Sequence, residues 1–410
     1  MKQKVKILVV GGNQDNFVLP LTEAISKASP NIVFNFAEIR SQSTGELIES
    51  DRHHIVGLPN SDQGLLKNVL IAFKIIFNKN IYKRFLTYLP FNGRGLRGLS
   101  DAYCFYKKQI LYSKVFKCYD IINIQYCSAE YMQYAEMIPQ KTKLLCSVWG
   151  SDLLQNTNPA NYIQQYYGFQ RADRIVIQNQ ELKERLLTKF GRYLSDRVVT
   201  QIIGVNETIL NEIDRYRNDE NAMRTFKQHY GIPVNKSVIC IGYSASSKHK
   251  HIEVLSHFEK AGNFGGYTFL LPLTYGQDKN NIEAVKQFAT QSSLSIVIID
   301  QFLSLKNLAL LRLSADYFLQ TRETDANSNS FLENLYAGAL AFAGTWLPYS
   351  NFRQKDLFYL EYDEYYEIIE KIASLKIDNY NSKINDNYLN IKRFFTKSSQ
   401  VQGWVKVFDI

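Results

Sequence analysis

At 410 residues the chain is too long for one hydrophobic core and fits two α/β domains of roughly 150–200 residues each. Hydrophobic residues make up 45% and charged residues 21%, which excludes a disordered chain, and a net charge of +9 suits an anionic partner such as a nucleotide diphosphate, a phospholipid surface or nucleic acid. Five scattered cysteines (Cys104, Cys118, Cys127, Cys146, Cys240) lack C-x-x-C spacing, which argues against a disulfide framework or structural zinc and for a reducing compartment.

The opening MKQKVKILVVGGN carries an apolar run too short for a signal peptide and reads as a first buried strand at 5–10. No run of about eighteen apolar residues exists to span a membrane. Gly11-Gly12-Asn13 and a helical pattern over 17–25 follow the strand, the opening of a doubly wound α/β domain. This turn lacks the full G-x-G-x-x-G, and no acid closes a second strand, so a nicotinamide cofactor is not expected. Gly12 and Asn13 either offer backbone N–H groups to a ligand or serve tight strand–helix packing.

A second strand is expected at 33–36. From 66 to 117 eleven basic residues, among them Lys67, Lys74, Lys107 and Lys114, stand against one acid, Asp101, with aromatic residues between them. Such a stretch either lies on an anionic bilayer or forms a solvated helical face over the first-domain core. The chain carries no RNA-recognition or helix-turn-helix signature, so nucleic acid is not expected as a partner. Strands at 121–125, 143–148 and 174–177 are short, apolar and followed by turn or helix chemistry, as parallel strands buried on both faces should be.

The first alternation ends near 198–204. A polar stretch, a helix at 223–230 and the break Gly231-Ile232-Pro233 follow, and strands resume at 237–242, 268–273, 295–299, 317–320 and 339–343. The fold class is therefore α/β, with two Rossmann-like doubly wound parallel-sheet domains facing a cleft. Residues 1–205 form the first domain, 206–235 an interdomain linker and helix, and 236–389 the second domain. Apolar spacing through Ile391, Phe394, Phe395, Val401, Trp404 and Val407 predicts a C-terminal helix over 390–410. It either crosses back to the first domain, as its large apolar residues suggest, or packs on the second alone.

The segment richest in chemistry is Asp325-Ala-Asn-Ser-Asn-Ser-Phe-Leu-Glu333, which follows the strand at 317–320 and enters a helix ended by Gly338. Small polar residues at a helix N-terminus present unpaired N–H groups and a positive dipole end, a site suited to a diphosphate. The alternative is a plain cap, with Ser328 or Ser330 at the N-cap and Glu333 as a capping-box acid.

An acid, seven residues and a Glu on a short helix ending in Ala-Gly resembles the E-x7-E motif of the retaining family 4 glycosyltransferases. The resemblance implies the GT-B architecture, with Asp325 beside the donor sugar and Glu333 on the nucleotide ribose. Ala172-Asp173-Arg174-Ile175-Val176-Ile177, Gly204-Val205-Asn206 and Gly231-Ile232-Pro233 match that family's landmarks in order. Trp149-Gly150-Ser151-Asp152 resembles its H-G-S-D loop, with Trp149 in place of His, which implies that Trp149 and Asp152 lie on the acceptor side. The segment from Gly242-Tyr243-Ser244 to Leu255, with Leu271-Pro-Leu-Thr-Tyr275-Gly276, is similar to the second domain of the TDP-4-acetamidofucose:lipid II transferases. Tyr243 stands where family 4 enzymes place an Arg, so Lys248 and Lys250, with Arg322, become the expected diphosphate cations. His249 and His251 at i, i+2 lack further ligands nearby and read as a surface or phosphate-facing pair rather than a metal site.

The expectation is a glycosyltransferase moving a sugar from a nucleotide-diphosphate donor to a glycan acceptor, lipid-linked, in cell-surface polysaccharide synthesis of O-antigen or capsule type. Gly242, Tyr243, Ser244, Lys248, Lys250, Tyr275, Arg322, Ser328, Asn329, Ser330 and Glu333 would bind the donor; Asp325, Glu333 and Asp152 would carry the chemistry. No metal is expected, since lysines and helix N–H groups can serve the diphosphate. The protein is expected in the cytoplasm, peripheral on the inner face of the cell membrane. Whether the anomeric configuration is retained or inverted stays open, because the two resemblances point opposite ways. A sugar-nucleotide epimerase and a non-catalytic partner subunit are the competing readings.

Overall fold

The computed structural model describes residues 4–11, 18–38, 54–58, 65–77, 82, 84, 86, 97–155, 159–276 and 278–409. The chain divides into two compact units, Met1–Ile203 with Val401–Ile410, and Gly204–Gln400.

The first unit is built on β1 (Val5–Gly11), β2 (Ile32–Glu38), β3 (His54–Gly57), β4 (Ile121–Gln125), β5 (Lys143–Ser147), β6 (Arg174–Ile177) and β7 (Val198–Thr200). They form a 7-stranded sheet in the order β3-β2-β1-β4-β5-β6-β7, and every pair is parallel. The central place of β1 explains its unbroken apolar run: helices cover both faces, and Ile7, Leu8, Val9 and Val10 are fully buried. Gly11 is required at its end, because a Cβ there would stand 2.0 Å from the Gln125 carbonyl oxygen of β4.

The second unit holds β8 (Ser237–Ile241), β9 (Tyr267–Pro272), β10 (Ile296–Ile299), β11 (Tyr317–Gln320), β12 (Leu340–Gly344) and β13 (Leu360–Tyr362). Its 6-stranded sheet runs β10-β9-β8-β11-β12-β13, again parallel throughout. In each sheet the strand order reverses beside the first strand, between β1 and β4 and between β8 and β11. Open α/β sheets bind ligands at the carboxyl ends of strands at such a switch point.

The C-terminal residues return to the first unit. Trp404, Val407 and Phe408 join Ile7, Val9 and Phe34 in its core, and the Trp404 indole N–H donates to the Ile202 carbonyl at 2.7 Å. Arg174 ties the same end down through the carbonyls of Lys406 and Val407.

Two details differ from the expected layout. The tail is two helices, Asn381–Phe394 and Lys397–Val407. They part where Val205 takes a strand-like partner: its N–H donates to Phe395 and its carbonyl accepts from Lys397. Only the residues from Val401 onward belong to the first unit. The segment expected as a linker is two capped helices of the second unit, Glu207–Tyr216 and Glu220–His229, with Asn206 and Asp219 accepting first-turn N–H groups. Among the described residues no helix is long and apolar enough to cross a membrane.

Candidate functional site

The loop after β11 leads into the helix Asn329–Ala337 at the switch point of the second sheet. Ser328 caps it, its Oγ accepting from the Phe331 N–H at 3.2 Å. Gly338 closes it with φ +105°, the left-handed conformation that a Cβ disfavours. With Ser328 as cap, Glu333 lies too deep for a capping box, which needs the acid three residues after the cap. Its carboxylate meets a buried partner instead. Arg312, on the helix Leu305–Leu313, donates from Nε to Glu333 Oε2 at 3.0 Å, and its Nη2 stands in ion-pair contact with the same oxygen at 3.0 Å. Arg312 Nη2 also reaches the Ser330 hydroxyl at 3.1 Å. Only 4% of Arg312 and 9% of Glu333 is exposed, so the pair is shielded from water. Burial pushes the Glu333 carboxyl above the usual carboxylate range, and the guanidinium of Arg312 opposes that rise.

Arg312 was not among the residues expected at the site. The signal was a single charge inside the apolar run Leu308–Leu313, where burial without a partner would be costly.

Asp325 sits at the head of the same loop under a set of donors. Gln320 Nε2 and the Tyr243 hydroxyl donate to Oδ2 at 2.9 and 3.3 Å, and the Ala326 N–H donates to Oδ1 at 2.8 Å. Tyr243 in turn accepts from Arg322 Nη1, which gives a chain from guanidinium to phenol to carboxylate. Burial raises the Asp325 pKa, with Arg322 and the donors acting against it. Tyr243 thus occupies the place of the expected arginine, and Arg322, from the end of β11, brings the positive charge to it.

Gly242, at the end of β8, makes this arrangement possible. Its φ is +66°, and a Cβ there would stand 2.7 Å from His249 Nδ1. His249 is fully buried, its ring edge-on to Tyr243 with centroids 4.6 Å apart and its Nε2 3.1 Å from the Ser244 hydroxyl. His251 is also buried, 3.4 Å from the Asn281 amide. The expected surface or phosphate-facing pair is therefore corrected to two core residues. Burial pulls His251 down to about 4 and His249 well below the usual imidazole value, so both are neutral at pH 7. Among the described residues no group of three or more His, Cys, Asp or Glu side chains is placed to hold a metal ion.

Of the expected cations, Lys250 is engaged by Glu323 at 2.7 Å, which raises its pKa. Lys248 lies half-buried in the short turn Ser247–His249. Ser244 is buried beside His249. The Tyr275 ring is exposed, while its carbonyl holds the Ala245 N–H at 2.6 Å.

In the first unit, Gly12 and Asn13 lie outside the described residues. Asp152 is buried and accepts from four backbone N–H groups: Cys127 at 2.7 Å, Gly150 at 2.8 Å, and Trp149 and Leu153 at 3.1 Å. Those four donors make it the anchor of the 149–153 turn. The Trp149 indole N–H donates to the buried Gln125 side chain at 2.9 Å.

No protein-family model matches the sequence, and no curated protein matches it. Solved structures do. A glycosyltransferase from Rickettsia africae is 13% identical, with a TM-score of 0.69 over 99% of this chain and 98% of that one. An α,α-trehalose 6-phosphate synthase from Burkholderia multivorans is 11% identical, with a TM-score of 0.66 over 99% and 98%. Anabaena HepE in complex with UDP-glucose is 12% identical, with a TM-score of 0.65 over 98% and 99%. At these identities the likeness establishes the fold, and the two parallel-sheet units are those of the GT-B architecture.

Proposed function

We propose that this protein is a glycosyltransferase that moves a sugar from a nucleotide-diphosphate donor to a lipid-linked glycan, in cell-surface polysaccharide synthesis on the cytoplasmic face of the membrane. The observation that carries this reading is the convergence of Gly242, Tyr243, Arg322, Asp325 and the Ser328-capped helix at one switch point, with Glu333 a turn deeper. Similar folds that hold UDP-glucose or make trehalose 6-phosphate support a sugar nucleotide as the donor.

Each group has a role in this reading. Oε2 of Glu333 is held by Arg312, which leaves Oε1 to accept the ribose hydroxyls. The first-turn N–H groups of Asn329 and Ser330 face the diphosphate, where the helix dipole contributes about 0.3–1 kcal/mol. Arg322, with Lys248 beside the same glycine turn, adds the cationic share as charge develops on the leaving group. Asp325, fixed by Gln320 and Tyr243, places a negative charge near the donor sugar. Gly12, Asn13 and Trp149 are assigned to the acceptor. The transfer needs no divalent cation, so EDTA is expected to leave turnover unchanged in a radiolabelled-donor assay; loss of activity restored by Mg²⁺ would refute that.

A thermal-shift screen with UDP, TDP, GDP and CMP tests the donor assignment. Stabilisation follows RT ln(1 + [L]/Kd), about 2.7 kcal/mol at a hundred times Kd. One nucleotide is expected to raise the melting temperature, and Glu333→Gln to weaken its binding at least about tenfold, as loss of a charged hydrogen bond would. No shift from any nucleotide would favour a non-catalytic partner subunit. Conversion of the sugar nucleotide without acceptor would favour an epimerase.

A further inference from the structure

The helix Leu65–Ile76 buries Ile71 and Ile75, four residues apart, and packs on the helix Arg97–Phe116. Its other face is also apolar. Val69, Leu70, Phe73, Ile76 and, just beyond its end, Phe77 are all exposed, Phe73 at 60% and Phe77 at 81%. Phe73 and Phe77 stack at 6.3 Å. Scattered exposed apolar residues are ordinary, but a contiguous stripe on one helix marks an interaction surface.

Its charge indicates what covers it. Lys74 stands within the stripe, and the packed helix and its end carry Lys107, Lys108, Lys114 and Lys117, all at least partly exposed. Arg84 is spent inside the unit, on Glu136 and the Phe105 ring. A second copy of this face would bring two lysines into a dry apolar contact, where interface cores are poor in charge. A lipid surface takes both features at once. The aromatic and aliphatic side chains enter the acyl boundary, and lysine stems extend to the phosphates.

We infer that the helix Leu65–Ile76 with Phe77 is a docking face for anionic phospholipid, seated by Leu70, Phe73 and Phe77 and oriented by Lys74. This inference does not depend on the donor assignment. It would bring the first unit to the surface where a lipid-borne acceptor is found.

The test is flotation of the full chain with vesicles of phosphatidylcholine, alone or mixed with phosphatidylglycerol. The protein is expected to float with the mixed vesicles only, and less so as salt rises. Phe73→Ser with Phe77→Ser, and separately Lys74→Glu, should each weaken that binding at least about tenfold. Because these side chains are exposed, the melting temperature and any nucleotide-induced shift should stay as in the parent protein, which separates this result from failure of the donor site. Absence of flotation, or equal flotation of the double variant, would overturn the inference. A dimer in solution that the double variant dissociates would overturn it in favour of self-association.

Discussion

Arg312→Met is expected to lower the stability of the second unit by about 3–5 kcal/mol at neutral pH, the usual cost of leaving one member of a buried ion pair alone. The partner left behind is Glu333, which is 9% exposed and whose Oε2 takes both the hydrogen bond from Arg312 Nε and the ion-pair contact with Nη2. The pH dependence gives the test its specificity. Burial places the folded-state pKa of Glu333 above its unfolded value, so ionising it costs stability as pH rises through the folded value, and that cost is absent below the unfolded one. Arg312 limits the cost, and its removal enlarges it. The deficit should therefore be largest near pH 8 and shrink steadily toward pH 4, as followed by urea unfolding. A deficit that does not change with pH would show that Glu333 is not the group left stranded. Arg312→Met combined with Glu333→Leu should recover most of the stability, since an apolar pair replaces a desolvated ionic one. Donor binding should stay lost in that double variant, which separates the carboxylate's part in the ligand site from its part in the core.

Gly242→Ala should abolish the nucleotide-induced shift and lower the melting temperature. Two costs add. A residue with a Cβ pays about 1–2 kcal/mol in the left-handed region that Gly242 occupies at φ +66°. The methyl group would also stand 2.7 Å from His249 Nδ1, and His249 is fully buried with little room to retreat. If the imidazole moves, it takes Tyr243 with it, because the two rings pack at 4.6 Å. Tyr243 holds both Arg322 and Asp325, so a clash in the core is transmitted to the diphosphate and sugar positions. Adding His249→Ala should relieve the clash while losing the buried imidazole's own contacts. The double variant's deficit is therefore expected to be smaller than the sum of the two single deficits. If the two deficits add in full, the steric account fails.

Parallel strands buried on both faces announce themselves as short β-branched runs, which is why β1, β4, β5, β8 and β11 could be read directly. The edge strands β3 and β13 do not. The three residues of β13 include Glu361, and the four of β3 open with His54, so neither shows an apolar run. The loop from Asp325 to Glu333 was recognisable because helix capping and the spacing of two acids leave a local trace. Its surroundings were not, since they depend on residues distant in sequence. The Arg312 guanidinium reaches Glu333 across 21 positions, and Arg322 reaches Tyr243 across 79. The polar run Ser246-Ser247-Lys248-His249-Lys250-His251 suggested exposure throughout, yet the turn Ser247–His249 directs His249 into the core. Asp152 is a mixed case: its N–H partners Trp149, Gly150 and Leu153 are sequence neighbours, while Cys127 comes to it only once the first sheet has formed.

The return of Trp404, Val407 and Phe408 to the core of the first unit bears on the order in which the protein is made. Domains commonly fold as they leave the ribosome, the N-terminal one first. Here the first unit lacks the indole that donates to the Ile202 carbonyl until the segment from Val401 is made, whereas Gly204–Gln400 is contiguous and can close before it. The nascent first sheet therefore waits, with Phe34 and its neighbours incompletely covered, through the whole synthesis of the second unit. During that interval its uncovered apolar side chains are the kind of surface that chaperones shield.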